Sequence, residues 1–232
     1  MSEFSEYEQT WWDTLDGLRS NPEIHVTHEV RGDLTPSLGD ADQVFTMIST
    51  LNGVTLPESW KPSYLRFAEF GSCWTFGDRD SSESFGGEFH VTNLFETALT
   101  PSPTEAWSGI PGLSEEFLEE LHPFDGTPTT GVGHLALLRL TKGASDAEVW
   151  FHAGAYEPHR MDLDYPTYLE TLRITKGTFC WQYLFVDPAE VDLSTEEFAS
   201  AAGLLTRMLA TFPRVFPEHD YSGLQARLEA RL

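Results

Sequence analysis

The chain has 232 residues, 40% of them hydrophobic, and its 14 Lys and Arg residues stand against 37 Asp and Glu residues, which gives a net charge of -23. This apolar fraction can fill a core, so a wholly disordered chain is excluded, and the negative charge repels nucleic-acid phosphate. The chain has neither an apolar run of about 18 residues nor a basic leader followed by an apolar stretch. We therefore expect a cytoplasmic protein that spans no membrane and binds no nucleic acid.

The first third of the sequence alternates between helix and strand patterns. Apolar residues recur at spacings of three and four over residues 4–19 and 42–51, which predicts two amphipathic helices. Asp42 is predicted to cap the second of them. Residues 24–30 have a strand pattern between the two helices, and a further short helix is predicted over residues 62–70.

Strand patterns dominate the middle of the sequence. Residues 73–77 and 85–91 predict one pair of strands, and residues 134–140 and 148–152 predict a hairpin joined by a polar turn. Between the two pairs, residues 113–121 predict a short and very acidic helix.

Helix patterns return at the end of the chain. Residues 165–174 predict one helix, a capping box at residues 194–197 opens a long one, and residues 220–232 predict a short terminal one. Helices thus lie before and after the strands, without a regular βαβ alternation. This order predicts an α+β fold with a mostly antiparallel, curved sheet and helices packed on one side.

Motifs for cofactors and metals are weak. Residues 131–136 spell a dinucleotide-binding glycine pattern, but a strand pattern follows them where the mechanism needs a helix. His25 and His28 would lie on opposite faces of a strand, which prevents chelation. Cys73 and Cys180 alone make neither a disulfide framework nor a zinc site. We expect no cofactor and no metal.

Catalytic motifs are equally scarce. The sequence has no Gly-x-Ser-x-Gly elbow and no catalytic cysteine signature. We therefore expect no catalytic residue and a protein that is not an enzyme. The alternative is a hydrolase in which His134, His152 or His159 meets a carboxylate in a deep pocket.

Acidic residues are unevenly distributed. Between residues 78 and 120, ten Asp and Glu residues accompany a single base, Arg79. Solubility alone would favour a high negative charge, but a local excess beside aromatic residues is also typical of a surface that binds a basic partner. The predicted partner surface consists of Trp74, Asp78, Asp80, Glu83, Glu88, Glu115, Glu116, Glu119 and Glu120.

The order of motifs after the second predicted helix is distinctive. That helix leads to Leu56-Pro57, to a Tyr-x-x-Phe step at Tyr64 and Phe67, and then to a strand. This order resembles the opening of the SUKH superfamily, the bacterial immunity proteins related to fungal cell-wall-assembly regulators. The later strands and the helix that starts at Tyr165 are placed similarly.

The resemblance implies a single α+β domain over residues 1–232, with a core over about 42–175 and helical extensions over 1–41 and 176–232. Residues 99–131 depart from the family as a long insertion. The resemblance also implies binding and blocking a cognate toxin, often a nuclease, without catalysis. Nucleases are basic because they bind phosphate, so an acidic inhibitor suits them. We expect an immunity protein; a non-enzymatic regulatory scaffold is the other alternative.

Overall fold

A computed structural model describes residues 4–35, 39–78, 81, 83–107, 113–154, 157–190 and 195–232, with the backbone alone for residues 105, 106 and 197. Its helices are α1 (Glu6–Ser20), α2 (Ala41–Asn52), α3 (Leu94–Leu99), α4 (Glu115–Glu119), α5 (Tyr165–Thr175), α6 (Glu196–Val215) and α7 (Ser222–Glu229). Its strands are β1 (Ile24–Arg31), β2 (Glu69–Phe76), β3 (Phe85–Thr92), β4 (Leu121–Gly126), β5 (His134–Arg139), β6 (Glu148–Ala153) and β7 (His159–Arg160). Short 3-10 helices are Glu58–Ser63, Thr104–Trp107 and Trp181–Leu184.

The strands form two antiparallel sheets, which confirms the α+β fold but not the single sheet that the sequence predicts. One sheet has the order β1-β2-β3 and the other the order β4-β5-β6-β7. The sheets meet along β3 and β4, where Pro123 lacks an N–H and the register of β4 shifts between Pro123 and Asp125. Side chains make hydrogen bonds across this junction: the Asp125 carboxylate accepts the His90 N–H, and the Thr92 hydroxyl donates to the Phe124 carbonyl.

Both ends of the chain contribute to the main hydrophobic core. Trp11 of α1 packs on Phe70 of β2 with ring centroids 4.7 Å apart, and Phe212 of α6 packs on Trp74 at 6.0 Å. The terminal helices thus share the core of the central segment, and a SUKH-like core over residues 42–175 stays a prediction. In the part of the chain that the structure describes, no helix is long and apolar enough to cross a membrane.

A second, smaller apolar cluster covers the opposite face of the four-stranded sheet. Trp107 and Leu118, which lie in the segment before β4, pack there on Leu121 and Leu137. Alternate residues of β5 therefore face different layers, because Ala136 and Leu138 point into the main core. The four-stranded sheet is therefore covered on both faces, and the predicted insertion lies over the second one.

The predicted helix over residues 62–70 is wrong. A 3-10 helix ends at Ser63, Tyr64 is extended, and Phe67 forms a β-bridge with Leu34. The ring of Phe67 also stacks on Trp12, with centroids 4.1 Å apart. These contacts hold the segment in an extended conformation, and β2 begins two residues later.

Two other boundaries differ from the prediction. Asp40 rather than Asp42 caps α2, since its carboxylate accepts the N–H of Gln43; Asp42 lies in the first turn and pairs with Lys61. The acidic helix is shorter than expected, because Leu121 already belongs to β4, a strand that the sequence pattern does not reveal. The helices α1, α5, α6 and α7 and the strands β1, β2, β3, β5 and β6 are confirmed.

The turn after α5 ties the end of that helix to β2 and β3. Lys176 has a left-handed backbone with φ of 54°, and its carbonyl accepts the Trp74 indole N–H at 2.7 Å. The next carbonyl, of Gly177, accepts the N–H of Glu88 at 2.9 Å. Gly87 allows this approach, because a Cβ there would lie 2.5 Å from the Gly177 carbonyl oxygen.

We predict that Gly87→Ala lowers the free energy of unfolding by about 1–3 kcal/mol, because the new methyl group meets backbone and the Trp74 ring. The matched control is Gly203→Ala in α6, where a Cβ meets no atom within 4 Å. It should raise the free energy of unfolding by about 0.5–1 kcal/mol, since alanine restricts the unfolded chain and favours helix. Urea unfolding followed by circular dichroism measures both. Equal effects of the two substitutions would contradict this account of the contact.

Candidate functional site

Two residues of the predicted partner surface are buried. Trp74 is 0% exposed and donates its indole N–H to Lys176. Glu88 is 5% exposed, and its carboxylate accepts the backbone N–H groups of Thr129 at 2.5 Å and Thr130 at 2.9 Å. Their assignment to a binding surface is therefore corrected: both side chains hold the core and the junction between the sheets.

Two other predicted residues, Asp78 and Glu83, belong to the turn between β2 and β3. Asp78 and Glu83 are exposed there, and Asp80 lies outside the described residues. The eight residues of β3 span about 23 Å. At the end of β3 that is distant from this turn, the Thr92 hydroxyl donates to the Phe124 carbonyl of β4. Because α4 leads directly into β4, the acidic turn and α4 lie at opposite ends of β3.

The remaining four predicted residues lie on or next to α4. Glu115, Glu116 and Glu119 are exposed on this single helical turn. Glu120 is half-buried and pairs with Arg139, whose Nε lies 2.8 Å from the Glu120 carboxylate. Of the predicted surface, three exposed acids therefore remain on α4, and two more, Asp78 and Glu83, lie in the distant turn.

A groove of about 510 Å³ lies beside α4. Phe117 of α4 and Trp150 of β6 line it with half-buried rings whose centroids are 5.0 Å apart and whose planes meet at 72°. Glu157 and Glu190 add exposed carboxylates to the groove. His159 of β7 also lines it, with its Nδ1 3.7 Å from the Glu190 carboxylate. The groove therefore combines aromatic surface with negative charge.

Charged side chains hold both rings of the groove in place. The guanidinium of Arg139 lies 4.9 Å from the centre of the Phe117 ring and 3.3 Å from the Glu148 carboxylate. The same carboxylate accepts the Trp150 indole N–H at 3.1 Å and pairs with Arg160 at 3.0 Å. A site that is fixed in advance loses less entropy on binding.

The sequence assigned Trp150 to the core and gave no role to Phe117, Glu157 or Glu190. The alternation of β6 does indicate that Trp150 lies outside the main core. Val149 faces that core, so Trp150 shares the opposite face of the strand with the polar Glu148. Glu157 and Glu190 are distant from α4 in sequence. No local pattern joins them to it.

A second cavity, of about 380 Å³, contains the histidine and carboxylate types that the hydrolase alternative requires. His90, Asp125 and His134 line it at the junction of the sheets. One Asp125 oxygen accepts the backbone N–H groups of His90 and Gly126, both at 2.8 Å, and the other accepts the Tyr168 hydroxyl at 2.7 Å. These bonds give the carboxylate a structural role, since they join β3, β4 and α5.

A third opening, a crevice of about 590 Å³ between β6, β7 and α7, contacts the groove through Glu190. Two arginines of this crevice bind other groups of the chain: Arg227 lies 3.3 Å from the Asp162 carboxylate, and Arg231 donates to the backbone carbonyls of Tyr183 and Val186. Among the residues that the structure describes, no group of three or more His, Cys, Asp or Glu is arranged to hold a metal ion.

Comparisons of the chain with protein-family models, with curated proteins and with solved structures found no match. The SUKH resemblance therefore rests on the sequence motifs alone.

We predict that Asp125→Asn removes a pH dependence of stability. Burial raises the pKa of the folded-state carboxyl from 3.8 to about 6, against the opposing effect of its hydrogen bonds. The folded chain therefore binds this proton more tightly than the unfolded chain does. The protonated Asp125 carboxyl stabilises the fold below about pH 4, and this stabilisation is lost as the pH rises through 6. The free energy of unfolding changes by about 3 kcal/mol over this range.

Urea unfolding of both proteins between pH 4 and 7 measures this effect. Asp125→Asn should cost more stability at pH 4 than at pH 7. Gly203→Ala, which changes no titrating group, is the control whose effect should stay constant. A pH-independent cost of Asp125→Asn would show that burial does not raise this pKa.

Proposed function

We propose that this protein is an immunity-type inhibitor that binds a basic cognate toxin in the cytoplasm and blocks it without catalysis. The observation that carries the proposal is the groove beside α4, where the half-buried rings of Phe117 and Trp150 lie next to exposed acids. A fixed aromatic centre with a charged rim is typical of the few residues that dominate a protein–protein interface.

The acids around the groove favour a cationic partner. In the part of the chain that the structure describes, Glu115, Glu116 and Glu119 of α4 are exposed and form no ion pair with Lys or Arg. Together with the net charge of -23, they produce a field that accelerates encounter with a basic protein and disfavours acidic ones. A nuclease is the class of toxin we propose, because its own surface must attract phosphate.

Packing on the four-stranded sheet holds α4 in place, as a rigid binding surface requires. Leu118 of α4 and Trp107 are buried against the four-stranded sheet in the smaller apolar cluster. A stable interface covers about 800 Å² on each partner, so the groove would be its centre and the α4 acids part of its rim. The motif order that resembles the SUKH superfamily supports a toxin as the partner.

We predict that the triple substitution Glu115→Lys, Glu116→Lys and Glu119→Lys weakens toxin binding about tenfold to hundredfold at low salt and flattens its salt dependence. The probe is the protein encoded by the neighbouring gene. Isothermal titration calorimetry gives the affinity, and growth of cells that express both proteins gives the protection.

The matched control is the triple Asp13→Lys, Asp78→Lys and Glu83→Lys, which changes the net charge equally at exposed positions away from α4. It should keep most of the affinity. A stronger loss in the control than at α4 would assign binding to another face. Absence of both a complex and protection with the wild-type chain would remove the proposed function.

A further inference from the structure

The groove beside α4 has two carboxylates that no described Lys or Arg balances, although the His159 Nδ1 lies 3.7 Å from the carboxylate of Glu190. Glu157 and Glu190 are exposed, and among the described residues neither forms an ion pair with Lys or Arg. The nearby Arg160 pairs with Glu148 instead. The two carboxylates therefore lie next to Phe117 and Trp150 with their charge available to a partner.

The same aromatic surface already accommodates a guanidinium from within the chain. Arg139 lies over the Phe117 ring at 4.9 Å and is paired with carboxylates at its other side. Arg227 repeats this combination elsewhere, 4.3 Å from the Phe185 ring and paired with Asp162. Ring and carboxylate together are thus one arrangement in which this protein holds arginine.

We propose that the groove between α4 and β6 binds an arginine side chain of the partner protein, with its guanidinium against Phe117 or Trp150 and its N–H groups donated to Glu157 and Glu190. This inference rests on the proposed function, because it names the chemical group that a basic toxin presents to that site. In this proposal the groove residues Phe117, Trp150, Glu157 and Glu190 provide specificity. The acids on α4 provide the long-range electrostatic attraction.

Arginine fits this arrangement better than lysine. Its planar guanidinium stacks on aromatic rings and presents several donors in a fixed geometry that matches carboxylates. A lysine ammonium is a compact and strongly hydrated charge that loses more solvation against a ring. The rings are also fixed in advance, since Glu148 accepts the indole N–H of Trp150.

The test uses two blocked tripeptides, Gly-Arg-Gly and Gly-Lys-Gly, titrated into the full chain and followed by NMR. The indole N–H resonance of Trp150 is the readout and is assigned with Trp150→Phe. The arginine peptide should shift this resonance saturably, with an affinity at least about threefold higher than that of the lysine peptide. Equal affinities would overturn the proposal.

Two paired variants separate this site from general charge. Glu157→Gln with Glu190→Gln should weaken the arginine peptide about fivefold to tenfold. Glu6→Gln with Asp13→Asn removes the same charge on α1, which packs on the three-stranded sheet, and should leave the affinity unchanged. All four positions are exposed, so the variants should fold. An unchanged affinity in the groove variant would overturn the proposal.

The same variants distinguish a failure of this inference from a failure of the proposed function. A toxin complex that is insensitive to Glu157→Gln with Glu190→Gln would overturn the arginine site and leave the inhibitor function standing. A groove that selects the arginine peptide, in a chain that forms no complex with the neighbouring gene product, would support the arginine site and remove the toxin as the partner.

Discussion

Buried carboxylates join the two sheets of this protein where a backbone ladder is absent. Glu88 of β3 accepts N–H groups from the loop after β4, and Asp125 of β4 accepts the N–H of His90 in β3. Charge-assisted hydrogen bonds of this kind are stronger than neutral ones. They fix the four-stranded sheet against the three-stranded sheet, and so they fix the position of α4, which leads into β4, and of the groove beside it.

The groove exists because the four-stranded sheet is covered on both faces. One face of β6 contributes Val149 and Phe151 to the main core, and the other presents Trp150 to the layer that holds Phe117. That second layer is small and leaves the rings of Trp150 and Phe117 half-buried. An aromatic surface that is packed firmly on one side and open on the other is suited to binding.

The sequence predicted those features that depend on local patterns. Two runs of strand-favouring residues joined by a polar turn revealed β5 and β6, and helical spacing revealed α1 and α6. It did not predict the division into two sheets at the edge of β4, a strand that contains Pro123 and pairs irregularly with β5. Nor could strand alternation separate Glu88 from the exposed acids, because both faces of β3 are buried along most of its length. Of the acids in the site, local charge density revealed those on α4, whereas Glu157 and Glu190 meet the groove only through tertiary structure.

The separation of the two apolar clusters bears on how such a surface can diversify. Trp107 and Leu118 pack with Leu121 and Leu137 in a cluster of their own, apart from the large core that defines the fold. Mutations in the segment before β4 can therefore remodel the outer layer while the main core keeps its packing. Sequence change in that outer layer is thus decoupled from the packing that specifies the fold.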